Sequence, residues 1–141
     1  MRKFLFMALF LFMFSAPANA ADFSLNGKIV SQKTQDGGAC SKASGEISFS
    51  ANAGQNPKGA AIFSGVCAGQ KVSLRLPAVD GNVRGREFMG IYAGPGNFGG
   101  QSFPVKLTVI GGIENGNVDG EAIFSFNDMV YNAGKFRGVV K

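Results

Sequence analysis

Alternation of apolar and polar residues runs through most of the chain and constrains its fold more than any other feature. In segment 71–76, Val72, Leu74 and Leu76 fall on one face of an extended strand, and polar residues fall on the other. Side chains alternate between the two faces of a β-strand, whereas an amphipathic helix repeats every ~3.6 residues. No segment after residue 20 keeps a helical period for three turns. The sequence therefore predicts an all-β protein.

Turn-forming residues divide the alternating pattern into eight candidate strands. These are residues 23–30, 45–51, 59–67, 71–76, 88–93, 105–110, 118–126 and 135–140. Pro77 and the run Asp80-Gly81-Asn82 predict the end of the fourth strand. Glycine is frequent, with 21 among 141 residues, and seven of these glycines lie between residues 81 and 100. We expect that segment to be a mobile mixture of strand and loop.

The hairpin around Asn115-Gly116 is predicted in register. These two residues are a strong signal for a type I′ turn, because both tolerate positive φ. Counted from the turn, the pairs are Glu114 with Asn117, Ile113 with Val118, Val109 with Ala122, Leu107 with Phe124 and Val105 with Phe126. The last three pairs are apolar and share one face. Because a shift by one residue would move these side chains to opposite faces, turn and pattern specify the same register.

Short turns between the strands leave no room for crossover helices, so we expect an antiparallel meander. About eight strands in one domain form either a small barrel or a two-sheet sandwich. We favour the barrel because closure removes the exposed sheet edges, and the sandwich is the alternative. A membrane-spanning barrel is disfavoured, because its outward faces would carry Lys71, Arg75 and Lys106.

The first twenty residues have the three parts of a secretory signal peptide. Arg2 and Lys3 form a positive region, residues 4–14 are an apolar run, and Ala18-Asn19-Ala20 is a small-x-small cleavage site. The apolar run is too short for a membrane helix, which needs about 20 residues. We therefore predict cleavage after Ala20. The product is expected to be secreted or periplasmic, with residues 21–141 as a single β domain and no integral membrane segment.

The two cysteines, Cys40 and Cys67, both lie in the exported part of the chain. In an oxidising compartment an even number of cysteines indicates disulfide bonding, and two cysteines allow only one pairing. Their spacing is not the CxxC spacing of redox-active thiols. The sequence thus predicts one structural disulfide.

The residue types present exclude several classes of function. The chain has no histidine, which removes the triads of serine and cysteine hydrolases and the common zinc sites. Loss of the signal peptide lowers the basic residues from 14 to 12, against 9 acidic residues. That surplus is too small to predict nucleic-acid binding. We therefore expect no enzyme activity, no metal, no cofactor and no nucleic-acid partner.

Three motif matches have ordinary explanations. Residues 94–99 match G-x-G-x-x-G, but no helix is predicted after them, so we expect a flexible loop and not a dinucleotide site. Residues 65–69 have the spacing of a nucleophile elbow, which needs a helix and a histidine, so a tight hairpin is expected. Asp119 and Glu121 share one strand face, as a glycosidase pair would, but they lie beside the predicted hairpin tip. A solvated face is expected there.

The candidate recognition residues lie between positions 84 and 98. They are Arg84, Arg86, Phe88, Tyr92 and Phe98. Arginine and aromatic side chains dominate binding hot spots, and arginine can clamp phosphate or carboxylate groups. The pattern predicts a binding module that recognises a protein partner or an anionic envelope glycan or lipid. The alternative interpretation is a solvated hairpin with Phe88 and Tyr92 in the core.

Two further functions are consistent with the sequence. Phe23, Leu25 and Ile29 alternate directly after the cleavage site, in the pattern of a strand that one subunit of a surface fibre donates to another. Nine of the 14 phenylalanines follow residue 20, enough to line the interior of a carrier for a small apolar ligand.

Overall fold

The structure, a computed structural model, describes residues 23–30, 40–52, 56–67, 69–98, 101–126 and 129–141. The eight strands are β1 Phe23–Val30, β2 Ser41–Ala51, β3 Ala60–Cys67, β4 Gln70–Arg84, β5 Glu87–Phe98, β6 Gln101–Glu114, β7 Asn117–Phe126 and β8 Met129–Val140. No helix in these ranges is long and apolar enough to cross a membrane. The predicted signal peptide, residues 1–20, lies outside the described residues.

The strands form a closed antiparallel barrel in which each strand pairs with the next along the chain. Closure comes from β1 and β8, which are paired from Leu25–Val140 to Val30–Lys135. The structure therefore confirms the predicted barrel and not the alternative, the two-sheet sandwich. Because β1 also pairs with β2 along its whole length, the chain uses both edges of its first strand itself.

The β6–β7 hairpin has the predicted register. Its pairs run from Glu114–Asn117 at the turn to Val105–Phe126 at the far end. Asn115 and Gly116 both have positive φ, 53° and 79°, as a type I′ turn requires. The predicted hairpin at residues 65–69 is also confirmed, because β3 ends at Cys67 and this residue pairs with Gln70 at the start of β4.

The end predicted for the fourth strand is wrong, because β4 continues through Pro77 to Arg84. A register shift between Ala78 and Asp80 absorbs the irregularity, so the turn-forming residues make a bulge within the strand instead of ending it. Gly81 has a φ of 154°, and the carboxylate of Asp80 accepts a hydrogen bond of 2.8 Å from its N–H.

The loop expected at residues 94–99 is also not what the structure shows, since β5 extends to Phe98. Pro95 pairs with Pro104 on β6. The β4–β5 ladder reaches only Tyr92, and the β6–β7 ladder ends at Val105. The prolines therefore lie where β5 and β6 extend beyond their outer neighbours, so their missing N–H groups break no ladder bond.

The interior of the barrel is filled by apolar side chains from all eight strands, and no polar or charged residue is buried in the described ranges. One aromatic cluster joins Phe23, Phe49 and Phe88. A second joins Phe63, Phe124, Phe126, Tyr131 and Phe103. Charged side chains of the described residues lie on the outer face.

The predicted disulfide is present. Cys40, directly before β2, is bonded to Cys67 at the end of β3, with 4.3 Å between their Cα atoms. Both cysteines are buried. The N–H of Cys40 also donates a 2.8 Å hydrogen bond to the carbonyl of Asn132 on β8. The disulfide therefore holds the start of β2 against β3, and the hydrogen bond holds it against β8.

Candidate functional site

Arg84 and Arg86 lie at the tip of the β4–β5 hairpin, where both side chains are exposed. Gly85 between them has a φ of 61°, a left-handed conformation that glycine adopts at low cost. The carbonyl of Arg86 accepts a 2.7 Å hydrogen bond from the N–H of Ile113 on β6. The tip, defined here as residues 84–86, is thus tied to the neighbouring hairpin.

Phe88 and Tyr92 are fully buried in the barrel, as the alternative interpretation of this segment predicts, so their rings are not available for contact with a partner. In β5 they are four residues apart and share the inward face. Phe88 stacks on Phe23 with 5.6 Å between ring centroids. The hydroxyl of Tyr92 donates a 2.9 Å hydrogen bond to the carbonyl of Ser48. Burial raises the pKa of the Tyr92 phenol well above its ordinary value.

Phe98 is the last residue of β5, and its side chain lies outside the described part of the structure. The strand runs from the hairpin tip to the opposite end of the barrel. At about 3.4 Å per residue, its backbone is roughly 40 Å from Arg86. The five predicted residues therefore do not form one surface. Two lie at the tip, two lie in the core, and one lies at the far end.

A groove of about 1100 Å³ lies on the outer wall of the barrel, away from the tip. It crosses the strands in the order β4, β3, β2, β1, β8 and β7. One wall is a row of outward side chains, Arg75, Ile62, Glu46, Lys28, Arg137 and Asp119, each paired in register with the next. The other wall is formed by Ala60, Ser48, Asn26, Val139 and Asn117. We call this feature the transverse groove.

The floor of the transverse groove contains the paired residues Gly27 and Gly138. A Cβ atom on Gly27 would lie 2.4 Å from the ring of Phe136, and one on Gly138 would lie 2.6 Å from Leu25. Because these glycines have no side chain, the fully buried ring of Phe136 packs directly against the backbone. The wall between β1 and β8 is therefore thin where the groove crosses it.

The first wall carries charges of both signs, with two cations side by side at its centre and an acidic residue on either side of them. Arg137 and Asp119 form an ion pair, with 3.3 Å between Nε and Oδ1, and both are mostly exposed. Lys28 is the direct cross-strand partner of both Glu46 and Arg137. Two like charges thus lie opposite each other across the β1–β8 ladder, a pairing that is unfavourable by itself. Asp119 compensates Arg137 directly, whereas Lys28 has Glu46 as a cross-strand neighbour without an ion pair in the described structure.

Sequence reasoning did not find the groove. Its two halves come from opposite ends of the chain, β1–β4 and β7–β8, and they meet only through the β1–β8 pairing. The one local signal was glycine within otherwise regular strand patterns at positions 27 and 138, which often marks a close backbone approach.

Asp119 and Glu121 are exposed, and Glu121 accepts a hydrogen bond of 3.3 Å from the side-chain amide of Asn132. Within the described ranges, no group of three or more His, Cys, Asp or Glu side chains is arranged to hold a metal ion.

Comparisons of the chain with protein-family models, with curated proteins and with solved structures found no match.

Proposed function

We propose that the protein is a non-catalytic binding module, exported to an oxidising compartment, that recognises a protein or an anionic envelope component through the tip. The observation that carries this proposal is the position of Arg84 and Arg86. Both are exposed, and neither forms an ion pair with a described residue. Their guanidinium groups have donors free for a carboxylate or phosphate partner.

Two contacts with the rest of the barrel hold the tip in place, one through core packing and one through a backbone hydrogen bond. Phe88 follows the tip by two residues and packs edge-to-face on Phe49, with 5.1 Å between centroids. The backbone bond between Ile113 and Arg86 restrains the tip from the side. A rigid loop loses little conformational entropy on binding, which favours affinity. Phe88 thus supports recognition by positioning the arginines and not by contact with the partner.

Neither alternative function gains support from the described geometry. A donated strand would have to leave the barrel, in which β1 is bonded to β2 and to β8. A carrier would need interior space, but aromatic side chains fill the described interior. The transverse groove lies on the outer wall, and a second cavity, of about 410 Å³, is lined only by residues of the β5–β6 hairpin.

The test is binding by the protein purified from cells that express the full chain. It is immobilised and exposed to an envelope extract and to vesicles with and without anionic phospholipid. The test variant is Arg84→Ala with Arg86→Ala. The matched control is Lys71→Ala with Lys106→Ala, which removes the same charge from exposed positions elsewhere on the outer face.

We expect the bound component to dissociate from the tip variant at least about tenfold more readily, because exposed arginines at binding centres are hot spots. The control should bind like the original protein. Equal binding by all three proteins, or no bound component at all, would contradict the proposal.

A further inference from the structure

We propose that the transverse groove is a second binding site, which takes an extended segment of a partner polypeptide. An acidic side chain of that segment lies over Lys28 and Arg137, and an aliphatic side chain lies over Ile62. This inference does not rest on the tip, because the tip residues do not line the groove.

The dimensions of the groove fit an extended chain. It crosses six adjacent strands, and neighbouring strands are about 4.8 Å apart, so its length is about 24 Å. A polypeptide in extended conformation advances about 3.3 Å per residue. The groove therefore accommodates about seven residues. Because the barrel is closed, such a segment cannot add to a sheet edge and must be recognised through side chains.

The place proposed for the acidic side chain of the segment follows from the charges of the first wall. Lys28 and Arg137 are directly opposed across the β1–β8 ladder. Asp119 holds Arg137 through Nε, which orients the guanidinium along the wall. A carboxylate placed between the two cations removes their mutual repulsion and gains two charge-assisted hydrogen bonds. This position is therefore the strongest recognition point in the groove.

The aliphatic position follows from Ile62, which is 46% exposed on β3 and faces Ala60 across the groove. From β3 to the middle of the β1–β8 pair is about 12 Å, close to the spacing of residues i and i+4 of an extended chain. Residues i and i+4 also point to the same side. The groove thus selects an aliphatic and an acidic residue four positions apart.

The wall composition argues against other ligands of similar length. Glu46 and Asp119 flank the two central cations, so a polyanion with a uniform repeat would place like charges against both. No aromatic residue is among the lining residues of the groove, so a glycan would find no stacking platform in the described structure. A polypeptide, whose side chains vary in sign along its length, fits this sequence of charges.

The experiment is selection from a displayed library of random heptapeptides on the immobilised protein. Counter-selection uses the Lys28→Ala, Arg137→Ala variant. Both substituted side chains are exposed, and urea unfolding establishes that the variant is folded. Enriched peptides are then synthesised, labelled and titrated against four proteins: the original chain, the groove variant, the tip variant and the Lys71→Ala, Lys106→Ala control.

We expect enriched peptides to carry an acidic and an aliphatic residue four positions apart, and to bind the groove variant at least about tenfold more weakly. The tip variant and the control should bind them like the original chain, which separates this inference from the proposed function. Enrichment without that spacing, or equal binding by the groove variant, would overturn the inference. Binding of neutral oligosaccharides or anionic vesicles that only the groove variant loses would also overturn it.

Discussion

Because the barrel wall is thin at Gly27, we predict that adding a side chain there lowers the free energy of unfolding, and the distances in the structure indicate by how much. In Gly27→Ala, the new Cβ would lie 2.4 Å from Cε1 of Phe136 and 2.6 Å from the carbonyl oxygen of Arg137. Ordinary contacts of a Cβ begin at 3.4 Å, so both neighbours must move. Phe136 is fully buried, and forcing atoms into a packed core costs about 1–3 kcal/mol. We expect the free energy of unfolding to fall by about that amount.

Gly112→Ala is the matched control. Gly112 pairs with Asp119 in the same barrel, but a Cβ there would meet its nearest atom at 3.9 Å. The substitution therefore adds no overlap, and it reduces the freedom of the unfolded chain. We expect the free energy of unfolding to rise by about 0.4–1 kcal/mol.

The measurement is equilibrium unfolding in urea, followed by far-ultraviolet circular dichroism. The two variants should shift the midpoint in opposite directions at an unchanged slope. If Gly27→Ala were as stable as the original protein, or if both variants were destabilised alike, the explanation of the groove floor would be wrong.

Three further predictions concern stability. Replacing Cys40 and Cys67 by alanine, which opens a loop of sequence separation 27, should lower the free energy of unfolding by about 3.5 kcal/mol, measured in urea. An unchanged urea midpoint would contradict the stabilising role of the disulfide. Because burial raises the pKa of Tyr92, the phenol keeps its proton in the folded protein while the unfolded chain ionises near pH 10. The free energy of unfolding is therefore unaffected by the ionisation of this group below about pH 10. Above that pH it falls by up to about 1.4 kcal/mol per pH unit, because only the unfolded chain loses the proton. Tyr92→Phe should abolish that fall and cost about 1 kcal/mol at neutral pH, for the bond lost to Ser48; an unchanged alkaline profile would refute the assignment. Gly116→Ala, at a φ of 79°, should cost about 1–2 kcal/mol by the same urea assay, and no loss would contradict the turn assignment.

The fold was predictable where two independent local signals agree. In the β6–β7 hairpin, Asn115-Gly116 specifies the turn, and the alternation from Val105 to Phe126 specifies the register. Neither depends on distant parts of the chain. The disulfide was predictable for a different reason, since two cysteines leave one pairing.

The bounds of β4 and β5 were not predictable from the same kind of signal. Pro77, Asp80 and Gly81 normally end a strand, but here a bulge accommodates them. Pro95 and Pro104 pair with each other in the β5–β6 ladder, but they lie beyond the ends of the outer β4–β5 and β6–β7 ladders, so they interrupt neither of these. In both cases the outcome depends on which neighbour a residue faces, and that neighbour lies in another strand.

The candidate sites show the same division between local and distant information. The positions of Arg84 and Arg86 follow from the hairpin around Gly85, which is local. That Phe88 and Tyr92 share a face also follows from the sequence, because residues four apart in a strand point to the same side. The transverse groove required the pairing of β1 with β8, and no pattern within either strand specifies that contact.

Closure of the barrel limits how this protein can recognise a partner. A sheet with an open edge can bind a strand through backbone hydrogen bonds, largely independently of sequence. Here β1 and β8 bond to each other, so no whole strand is left at an edge. Only the ends of β5 and β6, beyond Tyr92 and before Val105, have no outer neighbour among the described strands. We therefore propose that recognition uses outward side chains, namely the arginines of the tip and the charged wall of the transverse groove. Because these two surfaces share no residue, substitutions can remove one and leave the other intact, and their contributions to binding should be separable.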